Sequence, residues 1–197
     1  MRKVIACEWM SLDGVVQAPA YPDEDPTGGF KHGGWHVRYF DDDSMKWVLE
    51  NVTRAGGFLL GRRTYDTFAT HWPNASAEEQ PLARPLNTLP KYVASRTLKA
   101  PLAWHNSTLL ESDVPDAVAR LKHEAGADLV AIGSTELLHT LMACDLVDEL
   151  RLMIDPVILG GGKRFFFDRG RLTSLRLVAS EVTSTGAILA TYAREER

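Results

Sequence analysis

Three short stretches of this chain carry residue types suited to gripping phosphate. The first is Leu60-Gly61-Arg62-Arg63-Thr64-Tyr65. A glycine lets a phosphate approach the backbone closely. A helix starting there offers free N–H groups and the positive end of its dipole. Arg62 or Arg63 adds a planar, permanently charged fork, and Thr64 adds a hydroxyl. An ordinary glycine turn with solvated arginines would look the same. The second stretch, Val93-Ala94-Ser95-Arg96, ends a strand-like run with a Ser-Arg pair. Such a pair suits a phosphate on a ribose, or a plain turn. The third, Ala131-Ile132-Gly133-Ser134-Thr135, again reads as strand, glycine and helix start. It fits a pyrophosphate, and a cap on the helix by Ser134 would be compatible with that role. Together they describe a ligand with several phosphates lying across strand ends, where open α/β sheets place their ligands.

Other chemistries find less support. No G-x-G-x-x-G follows the first strand. Gly160-Gly161-Gly162-Lys163-Arg164 is not a P-loop, because Val157 stands where that motif needs glycine and Arg164 where it needs Ser or Thr. The two cysteines, Cys7 and Cys144, each sit in an apolar stretch. They read as two buried thiols, and neither a disulfide framework nor a metal site is expected.

The elements that must position these groups follow from periodicity. Residues 3–10 read as a buried strand, and Ser11-Leu12-Asp13-Gly14 as a turn. Residues 17–36, rich in Pro, Gly and Asp, form a loop long enough to be a functional lid. Residues 41–54 read as a helix whose start suits Asp41, Asp42 and Asp43. Its apolar stripe is Met45, Val48, Leu49 and Val52. Residues 58–60 are a strand and 63–70 a short helix. Residues 73–90, with four prolines, read mostly as loop with one helical piece. Strands are expected at 91–94 and 108–110. Asp113 caps a helix with Pro115 in its first turn. Val114, Val118, Leu121 and Ala125 line its face, and Gly126 stops it. A strand at 129–132 leads to a helix through Met142. Strands at 149–154, 172–182 and 187–193 close the chain. The expected fold is therefore α/β followed by a β-rich tail.

A chain of 197 residues fits one domain spanning 1–197. The formal net charge of -4, without basic runs, argues against nucleic acid and against an anionic membrane surface as partners. The opening Met1-Arg2-Lys3-Val4-Ile5-Ala6 goes directly into a strand-like run, too short for a signal peptide or a span. A reducing cytoplasm is the expected location.

In their order and spacing, Gly61-Arg62-Arg63-Thr64, Ser95-Arg96 and Gly133-Ser134 resemble the NADPH-binding elements of dihydrofolate reductase. The likeness is closer to the reductase domain of the bifunctional deaminase-reductase of riboflavin biosynthesis and its stand-alone relatives. Ser11-Leu12-Asp13-Gly14 looks like that family's first loop. Leu146-Val147-Asp148-Glu149-Leu150 and Pro156-Val157-Ile158-Leu159-Gly160-Gly161-Gly162 look like its C-terminal signature. The resemblance spans almost the whole chain. It implies a mixed, mostly parallel sheet flanked by helices with an antiparallel C-terminal part, NADPH as hydride donor, and a homodimer. By the same resemblance, Arg62, Arg63, Thr64, Ser95 and Arg96 would hold the 2′-phosphate and nearby pyrophosphate. Gly133, Ser134, Thr135 and Leu137 would lie along the pyrophosphate and nicotinamide ribose. Asp13 to Val16 would sit near the nicotinamide. From their place at the end of the long loop, Trp35 and His36 are the candidates to line the substrate site, and a lone histidine is more often structural.

The proton donor departs from the resemblance. Dihydrofolate reductase uses a carboxylate on the helix before the G-R-x-T turn, and the same count back from Gly61 lands on Met45. Asp42 or Asp43, just upstream, is the first choice after a small shift, with Glu8 second. All three aspartates of the cluster also suit a helix start. Asp13 is placed to shape its turn. The deaminase signature H-x-E…P-C-x-x-C is absent. Two function classes follow. One is NADPH-dependent reduction of a small heterocycle or carbonyl, pterin- or aminopyrimidine-like. The other is a nucleotide-binding or sensor module that kept the phosphate site and lost catalysis.

Overall fold

A computed structural model describes residues 1–111, 113–166 and 172–195. In chain order the elements are β1 (Val4–Ser11), α1 (Asp42–Thr53), β2 (Gly57–Gly61), α2 (Arg62–His71), α3 (Gln80–Thr88), β3 (Lys91–Ala94), β4 (Ser107–Leu110), α4 (Val114–His123), β5 (Leu129–Ile132), α5 (Thr135–Ala143), β6 (Glu149–Asp155), β7 (Leu175–Val182) and β8 (Ile188–Arg194). The strands pair in the order β4-β3-β2-β5-β1-β6-β8-β7 in an eight-stranded sheet. This is the mixed α/β architecture expected, parallel among β2, β3, β4 and β5 and antiparallel among β6, β7 and β8. The chain divides into two compact units, Met1–Ala6 with Val48–Asp148, and Cys7–Trp47 with Glu149–Arg197.

In the first unit, Phe58, Leu59 and Leu60 of β2 and all four residues of β5 are buried. Such continuous apolar runs belong to strands covered on both faces. The one helical piece expected in the proline-rich stretch before β3 is α3, with Pro81 in its first turn and Pro85 inside. A proline in the first turn gives up only an N–H that has no helical partner. The helix's far end is closed by Lys91, whose Nζ donates to the carbonyls of Leu86, Asn87 and Leu89 at 2.8, 3.2 and 2.9 Å. The same ammonium lies 4.4 Å from the centre of the Trp104 ring, and burial lowers its pKa to about 8.

Helix α4 is capped by Asp113, which accepts from Asp116 N–H, but it ends at His123 and leaves Ala125 exposed beyond it. The turn that follows is clasped by Arg2, whose Nε donates to Ala127 O at 2.6 Å. Cys144, expected to be buried, is exposed after α5, whereas Cys7 is buried. The physical reason is that α5 ends at Ala143, so Cys144 lies past the helix that carries the apolar stretch before it.

In the second unit, β8 pairs with β6 on one side and β7 on the other. All eight residues of β7 are exposed. The long loop after β1 is braced rather than slack. Gln17 Nε2 donates to the carbonyls of Asp25 and Thr27, and Gln17 Oε1 accepts from Lys163 N–H. No helix among the described residues is long and apolar enough to cross a membrane.

The entry of β1 in the first unit depends on Asp148. Its Oδ2 accepts from Val4 N–H at 2.7 Å and from the buried Lys122 Nζ at 2.6 Å. Asp148→Ala strands both donors, and we expect it to lower unfolding free energy by about 2–4 kcal/mol. Urea denaturation measures this, and a change below about 0.5 kcal/mol would refute the role.

Candidate functional site

The phosphate-suited stretches meet in the first unit. Gly61 pairs with Ala94, and Leu59 with Ala131, in parallel register. The strands therefore end nearly level, and Gly61, Ser95 and Gly133 follow at one edge of the sheet. Neither α2 nor α5 has a side-chain cap at its start, so their first-turn N–H groups keep no side-chain acceptor. Ser134 does not cap α5 as the sequence allowed. It adopts a left-handed conformation at φ 63, following Gly133 at φ 57, which turns its hydroxyl toward the other helix. There Ser134 Oγ accepts from Gly61 N–H at 2.9 Å and donates to Thr64 Oγ1 at 3.0 Å. A non-glycine residue held left-handed is strained, and such strain gathers at ligand sites.

The cationic groups beside these turns differ. Arg62 is exposed and pairs with Asp66 one turn along α2 at 2.9 Å. Arg63 and Arg96 are exposed. Ser95 Oγ accepts from Thr97 and Leu98 N–H and so shapes its own turn. Thr135 is half-buried, while Leu137 is buried and packs in the core. Gly133 holds a positive φ that a side chain rarely adopts, and a Cβ at Gly61 would make only ordinary contact with the Ser134 side chain at 3.5 Å.

The second unit holds the remaining candidates. Asp13 takes hydrogen bonds from Ser11 Oγ, Leu159 N–H and Gly160 N–H, and its carbonyl accepts from Arg164. Burial pulls its carboxyl upward, but these hydrogen bonds outweigh it and hold the pKa below the ordinary value. Asp13 is thus a brace between two loops, and Val16 beyond it is buried. A cleft of about 690 Å³ opens beside this brace, lined among others by Gln17, Gly29, Phe30, Gly161 and Lys163.

Of the acid candidates, Asp42 and Asp43 are exposed in the first turn of α1, where the helix dipole favours them. Their neighbour Asp41 caps that helix, and hydrogen bonds led by Ser184 hold it far below the usual carboxylate range. Glu8 is buried at 3 % exposure. Desolvation pushes its pKa well above the ordinary value, and its Oε1 has no hydrogen-bond partner among the described residues. A solvent-facing place for Glu8 is therefore ruled out.

Trp35 and His36 are both buried. Trp35 Nε1 donates to Gln17 O at 2.8 Å. His36 Nδ1 lies 2.7 Å from Oδ2 of the fully buried Asp155. Burial raises the Asp155 carboxyl, and the hydrogen bond from His36 opposes that rise. Rings of Trp9, Trp35 and Phe40 stand edge-on to His36 with centroids 5.9, 6.2 and 5.5 Å away, and Trp47 packs on Trp9. His36 Nε2, Asp155 Oδ1 and Trp9 Nε1 have no hydrogen-bond partner among the described residues. Each such buried atom costs about 1–3 kcal/mol, so three in one cluster call for a reason. Trp9, Trp47 and Asp155 escaped the sequence reading. Asp155 lies 119 residues from His36, and the one signal was a charged residue closing a strand before Pro156.

A family model described as RibD C-terminal domain matches residues 2–189. Among curated proteins, YyaP of Bacillus subtilis strain 168 is 31% identical over 136 residues, covering 68% of this chain and 71% of that protein. YwjB of the same strain is 39% identical over 59 residues, covering 30% of this chain and 34% of its own. Among solved structures, one from Shewanella sp. PV-4 described as a riboflavin biosynthesis protein aligns over 100% of both chains, with TM-score 0.66 and 20% identity. A pyrimidine reductase-like protein from Corynebacterium diphtheriae aligns over 100% of this chain and 93% of its own, with TM-score 0.63 and 13% identity. At these identities the two structures speak for the fold alone.

Glu8 generates a test of its own. A group whose folded pKa is raised binds its proton more tightly in the folded state. Its contribution is complete below the unfolded value near 4.5 and is lost as pH rises toward the folded value. Wild-type stability should therefore decline as pH rises above 4.5, with Glu8 contributing up to ~1.4 kcal/mol per pH unit. Glu8→Gln should flatten that slope. Parallel slopes in urea titrations of the two proteins would count against a neutral, buried Glu8.

Proposed function

The chain belongs to the RibD C-terminal domain family, and from that membership we propose that it is an NADPH-dependent reductase of a small heterocyclic or carbonyl substrate. The observation that carries this reading is the pair of uncapped helix starts in the first unit, tied together by Ser134 beside exposed arginines. Two helix N-termini side by side suit a pyrophosphate. Arg62 or Arg63, with Ser95 and Arg96, suits the adenosine 2′-phosphate by the charged fork of arginine. Gly133, Ser134 and Thr135 would lie along the pyrophosphate. The bound cofactor would supply hydride, and the chain's own residues bind, orient and exclude water.

Cofactor choice tests this. NADPH should bind at least about tenfold more tightly than NADH, equivalent to ~1.4 kcal/mol. Alanine at the arginine that touches the 2′-phosphate should weaken NADPH by about 10–100-fold and leave NADH unchanged. Comparing Arg62→Ala, Arg63→Ala and Arg96→Ala by titration identifies that arginine. Equal affinities for the two cofactors would reject the assignment. Tight NADPH binding without oxidation by pterins, aminopyrimidines or quinones would favour a nucleotide-binding module instead.

We also propose a homodimer formed through the C-terminal strands. Residues 167–171 of that stretch lie outside the described residues. Strand β7 ends the strand order, and Leu175, Leu177, Val178 and Val182 on it are exposed. An exposed apolar edge strand invites covering, and a second copy is the commonest cover. Light scattering should give twice the chain mass for the wild type and the single mass for Leu177→Lys. A wild-type monomer at micromolar concentration would overturn the proposal.

A further inference from the structure

A reduction by hydride needs a proton as well as a hydride, and the carboxylates first considered serve this poorly. Asp42 and Asp43 are exposed. Successive residues of a strand point to opposite faces, so Glu8 and Trp9 of β1 lie on opposite sides of the sheet. Trp9 is the residue whose ring meets His36.

We propose that His36, oriented by Asp155, is the proton donor of the reduction, with Trp9, Trp35 and Phe40 as the apolar wall around the accepting ring. This rests on the reductase reading. The Asp155 carboxylate fixes one edge of the imidazole by accepting from Nδ1 at 2.7 Å. The opposite edge, Nε2, is left buried and unpartnered, with its direction fixed by the first hydrogen bond. Half-buried Trp9 and exposed Phe40 bring the rim of the cluster to the surface. Trp9 Nε1, a donor only, and Asp155 Oδ1, an acceptor when ionised, are the other two unpartnered atoms. A ring presenting one acceptor and one donor would satisfy both.

The step balances. Hydride adds to the carbon of a C=N or C=O bond in the substrate, and the π pair of that bond moves onto nitrogen or oxygen. That atom takes the proton from Nε2 of protonated His36, whose N–H bond breaks to leave neutral imidazole. The cofactor loses two electrons, the substrate gains them, and a solvent proton restores His36. Asp155 is a positioning residue and keeps its hydrogen bond with Nδ1.

Two measurements test the proposal, the first without NADPH. In side-chain ¹⁵N spectra of the full chain, adding the oxidised ring 6-methylpterin should shift the His36 Nε2 signal, and Asp155→Asn should abolish that response. No shift in the wild type would overturn the site. The second is NADPH oxidation with 6-methyl-7,8-dihydropterin, where hydride goes to C6 and the proton to N5. His36→Gln should lower kcat about 100-fold or more with the Kd of NADPH unchanged, and added imidazole should restore part of the loss in His36→Ala. Full turnover in His36→Gln, or its loss in Glu8→Gln alone, would overturn the role of His36 and leave the reductase reading intact. A wild type that fails to bind NADPH would strike the reductase reading, while the ¹⁵N spectra still report on the ring site.

Discussion

The hydroxyl of Ser134 governs the phosphate-suited edge of the first unit. It accepts from the backbone of Gly61 and donates to Thr64, so the start of α2 is positioned by a residue at the start of α5. That link requires the left-handed backbone at Gly133 and Ser134. Glycine adopts it without penalty, whereas serine does so against a steric cost. Had Ser134 capped its own helix in the ordinary way, one N–H would be satisfied locally and the two helix starts would be independent. Spending the hydroxyl on the neighbouring turn leaves the start of α5 without a side-chain cap, as Gly61 already leaves the start of α2.

The second unit works by the opposite principle. Its polar groups are withdrawn from water and held by one another. Gln17 binds three backbone groups, Asp13 gathers the loop at Leu159 and Gly160, and Asp155 holds His36. The loop after β1 is therefore an ordered structure, although its composition reads as a lid. Where this economy fails, it fails locally. Three orphaned atoms cluster around one imidazole, while the braces nearby are well supplied with partners.

Residues 91–94 and 129–132 were legible in the sequence to the residue, because buried parallel strands bounded by proline, glycine or charge leave little freedom in their limits. The phosphate-suited turns were legible too, since glycine, arginine and hydroxyl residues advertise themselves locally. Helix α3 was legible only as one helical piece without bounds, and the closing of its carbonyl end by Lys91 is a contact that no propensity encodes. The placing of Ser134 was missed for a related reason, since side chain and sequence alone are consistent with a cap. His36 was singled out without its partner. The pairing with Asp155 spans 119 residues and is fixed by strand order, which the local pattern does not contain.

The departure at Met45 gains a physical sense from this arrangement. A carboxylate on α1 at that position would have to be buried and kept neutral to donate a proton. Here Met45 is exposed, and the acidic residues of that helix sit at its dipole-favoured start. Such residues suit the positive end of the helix dipole, in water rather than in a pocket. An imidazole avoids the difficulty, because its donating form is the charged one and does not depend on being kept neutral. Moving the proton source from a helix carboxylate to a loop histidine would therefore exchange a need for desolvation for a need for a counter-charge. Asp155, fully buried at the end of β6, answers the second need and has no evident use under the first.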